Sequence, residues 1–479
     1  MKILIVNPPR YLEKIPVIRE DRCEITERYA VIPPYSLIWI AAILRDKGHI
    51  VDLIDANALN LSYSTLKENM KKHPYDVMIF RFIPTTFDWD MKTAESSKEI
   101  NPHAKTIGIC LTLWPLQREL MNNTTYLDFY VPLEWETVIP ILVEALEKDY
   151  NLKEIRGISY RTNNNIIVNS PAISTIDYNS LPIPAYDLIP DFNLYKPNTP
   201  VQGNYSIVYT SKGCPYACIY CTVSRTPFKI KSAEKVIEEL MFLNRKFNVK
   251  LFSFFDETFT IDRKRVIKIS ETIRDQKLDI QWFCNTRVNL VDKELLKIMY
   301  NGGCRGIAYG IESGSQKILE NAEKDITIEQ AKKAIQWTKE SGIKVFTSFI
   351  FGLPGENWET VQETITFVKE TLPHGAQFNV AVPYPGTRLY SYAIEKGLLS
   401  DTDWRNLYQH KALMRTEQLS PQDLEKARKL AYRMLYFNPR WIFSNIKWIL
   451  AHPIELRLGL KYYFKTLKNF FMFDMEHAH

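Results

Sequence analysis

At 479 residues the chain exceeds what one hydrophobic core organises, so two or three domains are expected. Apolar residues make up 46% and charged residues 24%, an ordinary composition for a soluble globular protein, and a net charge of +6 is too mild to argue for nucleic acid. No apolar run reaches the roughly 18 residues that cross a bilayer, and the start, Met1 to Pro9, has neither the basic nor the apolar region of a secretory leader, so a cytoplasmic protein is expected.

Residues 1–150 alternate short apolar runs with helical patterns. Strands are predicted at Lys2 to Val6, Ile50 to Ile54, Asp76 to Phe80, Lys105 to Ile109 and Asp128 to Val131, with helices at Ser36 to Lys47, Met91 to Ile100 and Glu136 to Lys148 between them. Continuous apolar strands that alternate with helices make a parallel sheet covered on both faces. This predicts a doubly wound domain with its ligand crevice at the carboxyl ends of the strands. Residues 151–200 follow: a hairpin around Asn163-Asn164-Asn165, then a proline-rich ordered linker.

Residues 201–395 repeat a strand-helix unit six times. Strands are expected at Ser206 to Thr210, Leu251 to Phe255, Gln281 to Asn285, Gly306 to Gly310, Val345 to Phe351 and Gln377 to Val382. Helices are expected at Ser232 to Lys246, Arg263 to Asp275, Ile328 to Glu340 and Thr360 to Glu370. Six units are too few to close an eight-stranded barrel, so a partial, open (β/α)6 barrel is predicted, with its site where strands give way to loops. The unusual residues fall there: the cysteines after strand one, Asp256-Glu257 after strand two, Arg287 after strand three, Glu312 after strand four and Gly352-Leu353-Pro354-Gly355 after strand five. From 396 to 479 the chain reads as helical.

Of seven cysteines, three stand within eight residues, in Ser211-Lys212-Gly213-Cys214-Pro215-Tyr216-Ala217-Cys218-Ile219-Tyr220-Cys221. Such clustering in an intracellular chain points to metal rather than disulfides. Three thiolates on one loop can bind three irons of a cubane and leave the fourth open. A structural zinc site would want a fourth ligand, and this loop supplies none.

Cys-x3-Cys-x2-Cys at the end of the first strand of a partial barrel resembles the radical S-adenosylmethionine (SAM) family. The resemblance implies a 4Fe–4S cluster on Cys214, Cys218 and Cys221 whose open iron binds SAM, and cleavage of SAM to a radical that abstracts hydrogen from an unactivated carbon. It extends along the barrel: Tyr220 matches the aromatic beside the adenine, Asp256 and Glu257 the acidic segment after strand two, Glu312 the residue that holds ribose hydroxyls, and Gly352 and Pro354 the strand-five turn beside adenine. Pro383-Tyr384-Pro385-Gly386-Thr387 matches a turn at the barrel's end. Arg287 reads equally as a SAM contact or as half of a structural ion pair.

A doubly wound, Rossmann-like domain ahead of such a barrel is similar to the cobalamin-binding subclass, as are Asn7-Pro8-Pro9 and Leu181-Pro182-Ile183-Pro184-Ala185-Tyr186-Asp187. The resemblance implies cobalamin between the two domains, with Asn7, Pro8, Thr85, Thr86 and Glu134 in the loops that face it, and methylation as a common reaction. No D-x-H-x-x-G motif occurs, so no histidine is expected on cobalt. Glycine is scarce where the family uses it: Ile109-Cys110-Leu111-Thr112 follows strand four, Pro132-Leu133-Glu134-Trp135-Glu136 follows strand five, and Gly48 and Gly108 are the only glycines in the first 150 residues. Side chains there are expected to narrow the pocket.

Near the end, Arg457, Lys461, Lys465 and Lys468 share helical spacing, with Leu456, Leu460, Phe464, Leu467 and Phe471 on another face. This pattern is either a basic amphipathic helix lying on an anionic membrane or a helix packed on the barrel. The expected protein is a radical SAM enzyme, as a cobalamin-dependent methyltransferase of a hydrophobic or lipid-like substrate, or alternatively an enzyme of carbon–carbon bond formation, cyclisation or rearrangement. An electron donor such as flavodoxin or ferredoxin, no nucleic-acid partner, and a cytoplasmic location with peripheral contact at the inner membrane surface complete the expectation.

Overall fold

The structure, a computed structural model, describes residues 1–20, 30–162, 165–173, 176–197 and 203–451. Cys23 and the amphipathic stretch 456–471 lie outside the described residues.

The first sheet has seven strands: β1 (Lys2–Asn7), β2 (Ile50–Asp55), β3 (Val77–Arg81), β4 (Lys105–Ile109), β5 (Phe129–Val131), β6 (Ser159–Thr162) and β7 (Asn165–Val168). Their order is β2-β1-β3-β4-β5-β6-β7. The first five run parallel and the hairpin β6–β7 adds antiparallel at the edge. Every residue of β3 and all but the first of β1 are buried, as continuous apolar strands covered on both faces must be. Helices α1 (Tyr35–Asp46) and α5 (Trp135–Lys148) pack together on one face, and α2 (Tyr63–Met70) and α3 (Phe87–Ile100) on the other, with the short α4 (Gln117–Asn122) beside the hairpin. The chain leaves β1 outward to β2 and then crosses back to β3, so the crevice of this sheet opens between the carboxyl ends of β1 and β3.

A second sheet holds six parallel strands in sequential order: β8 (Asn204–Val208), β11 (Val249–Phe254), β12 (Gln281–Thr286), β13 (Cys304–Glu312), β14 (Lys344–Phe351) and β15 (Gly375–Val380). Two short strands, β9 (Ser211–Lys212) and β10 (Lys229–Ile230), pair antiparallel above β8. The outer layer is α6 (Ala233–Phe247), α7 (Arg263–Asp275), α8 (Lys293–Asn301), α9 (Gln316–Asn321), α10 (Ile328–Glu340) and α11 (Trp358–Thr371). Burial alternates along β14: Phe346, Ser348 and Ile350 are partly exposed toward the lumen, and the residues between them are buried under helices. This is the open (β/α)6 barrel.

The helices α12 (Arg388–Glu395), α13 (Pro421–Tyr436) and α14 (Pro439–Ala451) follow. An open barrel exposes an edge strand, whose unpaired backbone groups need partners. Here α13 supplies them: the N–H groups of Ala376 and Phe378 in β15 donate to the hydroxyls of Tyr436 and Tyr432, each at 3.2 Å, and Arg428 donates to the carbonyl of Phe378 at 2.8 Å.

The two sheets share one buried core. It runs from α1 and α5 through Tyr178, Tyr186 and Tyr195 of the linker into α6 and the barrel. At its centre Lys231 donates to Glu239 and to the Tyr35 hydroxyl, each at 2.7 Å, and Glu239 accepts from Tyr35 at 2.8 Å and Tyr186 at 2.6 Å. A charge pair this deep is tolerated because its oxygens and protons find partners.

Candidate active site in the barrel

The three cysteines sit on a loop closed at its base by the β9–β10 ladder, which sets Lys212 against Lys229 and Ser211 against Ile230. Gly213 opens the loop at φ +89°, and a Cβ there would collide with the carbonyl oxygen of Pro227, so only glycine starts it. The amide of Cys214 donates to the Thr226 hydroxyl and the amide of Thr226 to the Cys214 carbonyl, both at 3.0 Å. Cys218 is buried, and Cys214 and Cys221 are half-buried. Burial pushes the Cys221 thiol up to about 12, and the neighbouring Cys218 and Cys214 push the same way. A bound metal would reverse that shift, since coordinating thiols are deprotonated. Among the described residues no three His, Cys, Asp or Glu side chains are gathered tightly enough to hold a single metal ion. A cubane takes one thiolate on each of three irons and needs no such tight gathering. The donor set of this loop fits a cluster.

Arg287 clamps the loop. It is buried, its guanidinium lies 3.7 Å from the centre of the Tyr216 ring, and Nη1 is 3.7 Å from the sulfur of Cys218. Nη2 donates to the carbonyls of Lys324 and, at 3.3 Å, Asp325. No carboxylate among the described residues pairs with it, so the ion-pair alternative gives way to a clamp between the cysteine loop and residues 324–325.

Glu312 closes β13 just past a register shift, at φ +74°. A side chain held in the left-handed region stores strain and marks sites where geometry matters. Its Oε1 pairs with Lys324 at 2.8 Å, and Lys324 also donates to the Tyr220 hydroxyl at 3.2 Å. Both partners of the pair are buried. A Cβ on Gly310 would collide with Glu312 Oε1, so this glycine makes room for the pair. The fold thus joins Tyr220, Glu312 and Arg287 through Lys324, a residue sequence reasoning missed. In Glu323-Lys324-Asp325 it reads as one charge of a solvated loop.

Asp256 is placed differently from expectation. It is fully buried, with Oδ1 accepting from the Thr210 amide at 2.7 Å and Oδ2 from the Thr210 and Ser211 hydroxyls at 2.5 and 2.7 Å. Its oxygens are occupied in fixing the end of β8, where the cysteine loop departs, so the expected cofactor contact is corrected to a positioning role. Glu257 stands near enough to Cys214 to help raise its thiol, after the larger effect of burial.

The strand-five turn reaches the same end of the barrel. Gly352 lies at φ +99° and its amide donates to Glu356; Asn321 donates to the Pro354 carbonyl at 2.9 Å. Glu356, also missed in the sequence, is fully buried, and burial pushes its carboxyl up to about 8. The lumen beneath these loops is lined in part by Phe283, Asn285, Ala308, Phe346, Ser348 and Ile350, all partly exposed.

At the carboxyl ends of the N-terminal sheet the loops are tied together by buried pairs. Arg19, buried, pairs with buried Asp90 at 2.7 Å and donates to the carbonyls of Pro8 and Pro9 at 2.9 and 2.8 Å. Asn7 donates to Asp55 at 2.9 Å, Thr86 to Asp90 at 2.7 Å, and the Thr85 carbonyl accepts from Tyr408 at 3.1 Å. Glu20 is buried between Arg81, at 3.3 Å, and Tyr209 of the barrel, at 3.4 Å. Trp114 and Pro115, after β4, pack on Gly386 of the barrel so closely that a Cβ there would not fit. Glu134 pairs with Lys229 and Glu136 with Lys212 at 2.8 Å, both at the base of the cysteine loop. These side chains crowd the carboxyl ends of β1 and β3, in keeping with the expected narrowing. Asn7, Pro8 and Thr86 are held by Asp55, Arg19 and Asp90 of the same domain, whereas Thr85 and Glu134 reach across to Tyr408 and Lys229. The buried Thr85 hydroxyl has no hydrogen-bond partner among the described residues, an orphan that a ligand between the domains would satisfy.

Residues 208–368 match the family model of the radical SAM superfamily. A protein of Pyrococcus horikoshii named as an uncharacterised methyltransferase is 33% identical over 452 residues, 93% of this chain and 95% of that one. The chain belongs to the radical SAM superfamily, whose enzymes pair a 4Fe–4S cluster with SAM. The anaerobic magnesium-protoporphyrin IX monomethyl ester cyclase of Rubrivivax gelatinosus is 27% identical over 425 residues, 86% of this chain and 75% of the cyclase. Among solved structures, the radical SAM methyltransferase TsrM of Kitasatospora setae, with cobalamin and a [4Fe–4S] cluster bound, aligns with a TM-score of 0.70 at 17% identity over 92% of this chain and 89% of that one. The cobalamin-dependent radical SAM enzyme OxsB aligns at 0.71 and 17% over 99% and 76%. Both share the fold of a doubly wound domain followed by a partial barrel.

Proposed function

We propose that this enzyme cleaves SAM at the carboxyl end of the barrel and abstracts hydrogen from an unactivated carbon of a small hydrophobic or lipid-like substrate. The supporting observation is the convergence of the three-cysteine loop, Arg287, Tyr220, Lys324 and strained Glu312 on one end of an accessible lumen. Cys214, Cys218 and Cys221 would hold the cluster, which when bound supplies the electron that cleaves SAM. Glu312, with one oxygen on Lys324, offers the other to ribose hydroxyls, and Tyr220 and the Gly352–Pro354 turn flank the adenine. The barrel walls hold the substrate carbon and keep water from the radical. An external reductant such as flavodoxin or ferredoxin delivers the electron, and the enzyme works in the cytoplasm in peripheral contact with the membrane.

Two fates of the substrate radical are distinguished. Methyl transfer, drawing on cobalamin held between the two domains, is the leading reading and is supported by the methyltransferases among the relatives and neighbours. Carbon–carbon bond formation, cyclisation or rearrangement without methyl transfer is the second reading, supported by the cyclase among the relatives. Anaerobic turnover with methyl-labelled SAM separates them: label in the product together with 5′-deoxyadenosine supports methylation, and 5′-deoxyadenosine with an unlabelled product supports the second. Absence of 5′-deoxyadenosine under strong reductant defeats both.

A further inference from the structure

Large exposed apolar side chains are thinly spread over this protein except at its last two described helices. Met434, Phe437, Phe443 and Ile446 are 41, 51, 67 and 42% exposed, four within thirteen positions. The opposite side of α14 is fixed to the body: Trp441 is buried, donates to the Pro373 carbonyl at 2.9 Å and meets the Tyr436 ring edge-on at 4.8 Å. Phe443 and Ile446 therefore face outward because Trp441 faces inward. Isolated exposed hydrophobics need no explanation, but a group of them marks a surface that something covers.

Charge identifies the occupant. Residues 426–454 hold six basic residues (Lys426, Arg428, Lys429, Arg433, Arg440 and Lys447) and no acidic one, where 55 acids in 479 residues would place about three in that length. Arg433 and Arg440 are exposed beside the apolar group. Asp423 and Glu425 stand at the amino-terminal end of α13 and Arg428 is turned to β15, so the end of α13 that carries the apolar group, with α14, is basic without an acid, which matches an anionic lipid surface. No helix among the described residues is long and apolar enough to cross a membrane, so the contact is with the surface.

We infer that the outer face of α13 and α14 docks on an anionic bilayer through Phe437, Phe443 and Ile446, with Arg433 and Arg440 on the headgroups. This deepens the membrane contact proposed above by naming its surface, and it is independent of the chemistry in the barrel. The experiment is co-sedimentation of the full-length reconstituted enzyme with phosphatidylglycerol or phosphatidylcholine vesicles at low and high salt. The native enzyme is expected to sediment with phosphatidylglycerol at low salt, at least tenfold less at high salt because exposed charges are screened, and little with phosphatidylcholine. The double variants Phe437→Asp/Phe443→Asp and Arg433→Glu/Arg440→Glu should each weaken binding at least tenfold while keeping cluster absorbance and 5′-deoxyadenosine formation, which shows that the barrel is folded. No binding of native enzyme at low salt, equal binding to both lipids, or undiminished binding by both variants overturns the inference. So does loss of binding in Arg457→Glu/Lys461→Glu/Lys465→Glu/Lys468→Glu with none in the α13–α14 variants. Sedimentation without vesicles closes the remaining route: a dimer abolished by Phe437→Asp/Phe443→Asp would mean that a second copy covers the face and would also overturn it.

Discussion

Glu312 and Lys324 are the pair on which the SAM site turns. The carboxylate is buried, strained in its backbone and balanced by one ammonium. Charge-assisted hydrogen bonds to ribose hydroxyls are worth roughly 1.5–3 kcal/mol each. Glu312→Ala should therefore weaken SAM binding about tenfold or more, with the cluster spectrum intact. Lys324→Met leaves the same carboxylate buried without its counter-charge and should cost a similar factor, while Lys324→Arg recovers part of it. Titration of anaerobic enzyme with SAM, followed by the change in the cluster's EPR signal, reads both; unchanged affinity in Glu312→Ala would remove its assignment. Glu312 was legible in Tyr309-Gly310-Ile311-Glu312 because its strand and motif are local. Lys324 was not, because its importance comes from a loop brought back over β13, a contact that no spacing encodes. Asp256 was legible as important and misjudged in role: a motif gives the residue, and only the fold shows which way its oxygens face.

The strand-five turn shows how an element holds a site with one side chain. Glu356 accepts from the Gly352 amide, and its other oxygen, Oε1, has no hydrogen-bond partner among the described residues. Its folded pKa of about 8 lies above the ordinary carboxyl value, so between roughly pH 4.5 and 8 the folded state binds more protons than the unfolded one. That term stabilises the fold fully below pH 4.5, shrinks across that interval, and is gone above pH 8. Glu356→Gln, neutral at every pH, should flatten the decline in stability between pH 6 and 9, measured as thermal midpoints. An identical decline in variant and native enzyme would show that Glu356 is ionised in the fold. The elements themselves were largely readable. All eleven parallel strands lie within about two residues of their predicted ends, because strands covered on both faces are continuous apolar runs. The helices α2, α4, α8, α9 and α12 were missed, being too short for a helical period to stand out.

Across the whole molecule the domains are joined as one core, with Lys231, Glu239, Tyr35 and Tyr186 at its centre. Breaking a buried pair by removing one partner costs about 3–5 kcal/mol, so Lys231→Met should lower the thermal midpoint of both domains together. Loss of the N-terminal domain alone in limited proteolysis, with the barrel unaffected, would contradict a shared core. The crevice was half legible: missing glycines announced crowding, but the Arg19–Asp90 and Glu20–Arg81 pairs that crowd it join residues tens of positions apart. Enzyme reconstituted anaerobically with hydroxocobalamin and then desalted is expected to retain corrinoid by visible absorption, with no histidine nitrogen on cobalt; failure to retain any would favour chemistry without methyl transfer. The central claim is that Cys214, Cys218 and Cys221 together hold a site-differentiated 4Fe–4S cluster that cleaves SAM. Its most direct test is anaerobic reconstitution of the native enzyme and of the three single Cys→Ala variants, with iron content and 5′-deoxyadenosine measured on each. About four irons per chain and 5′-deoxyadenosine in the native enzyme alone is the predicted result. An intact cluster with SAM cleavage in any of the three variants, or a native cluster that never yields 5′-deoxyadenosine, would contradict it.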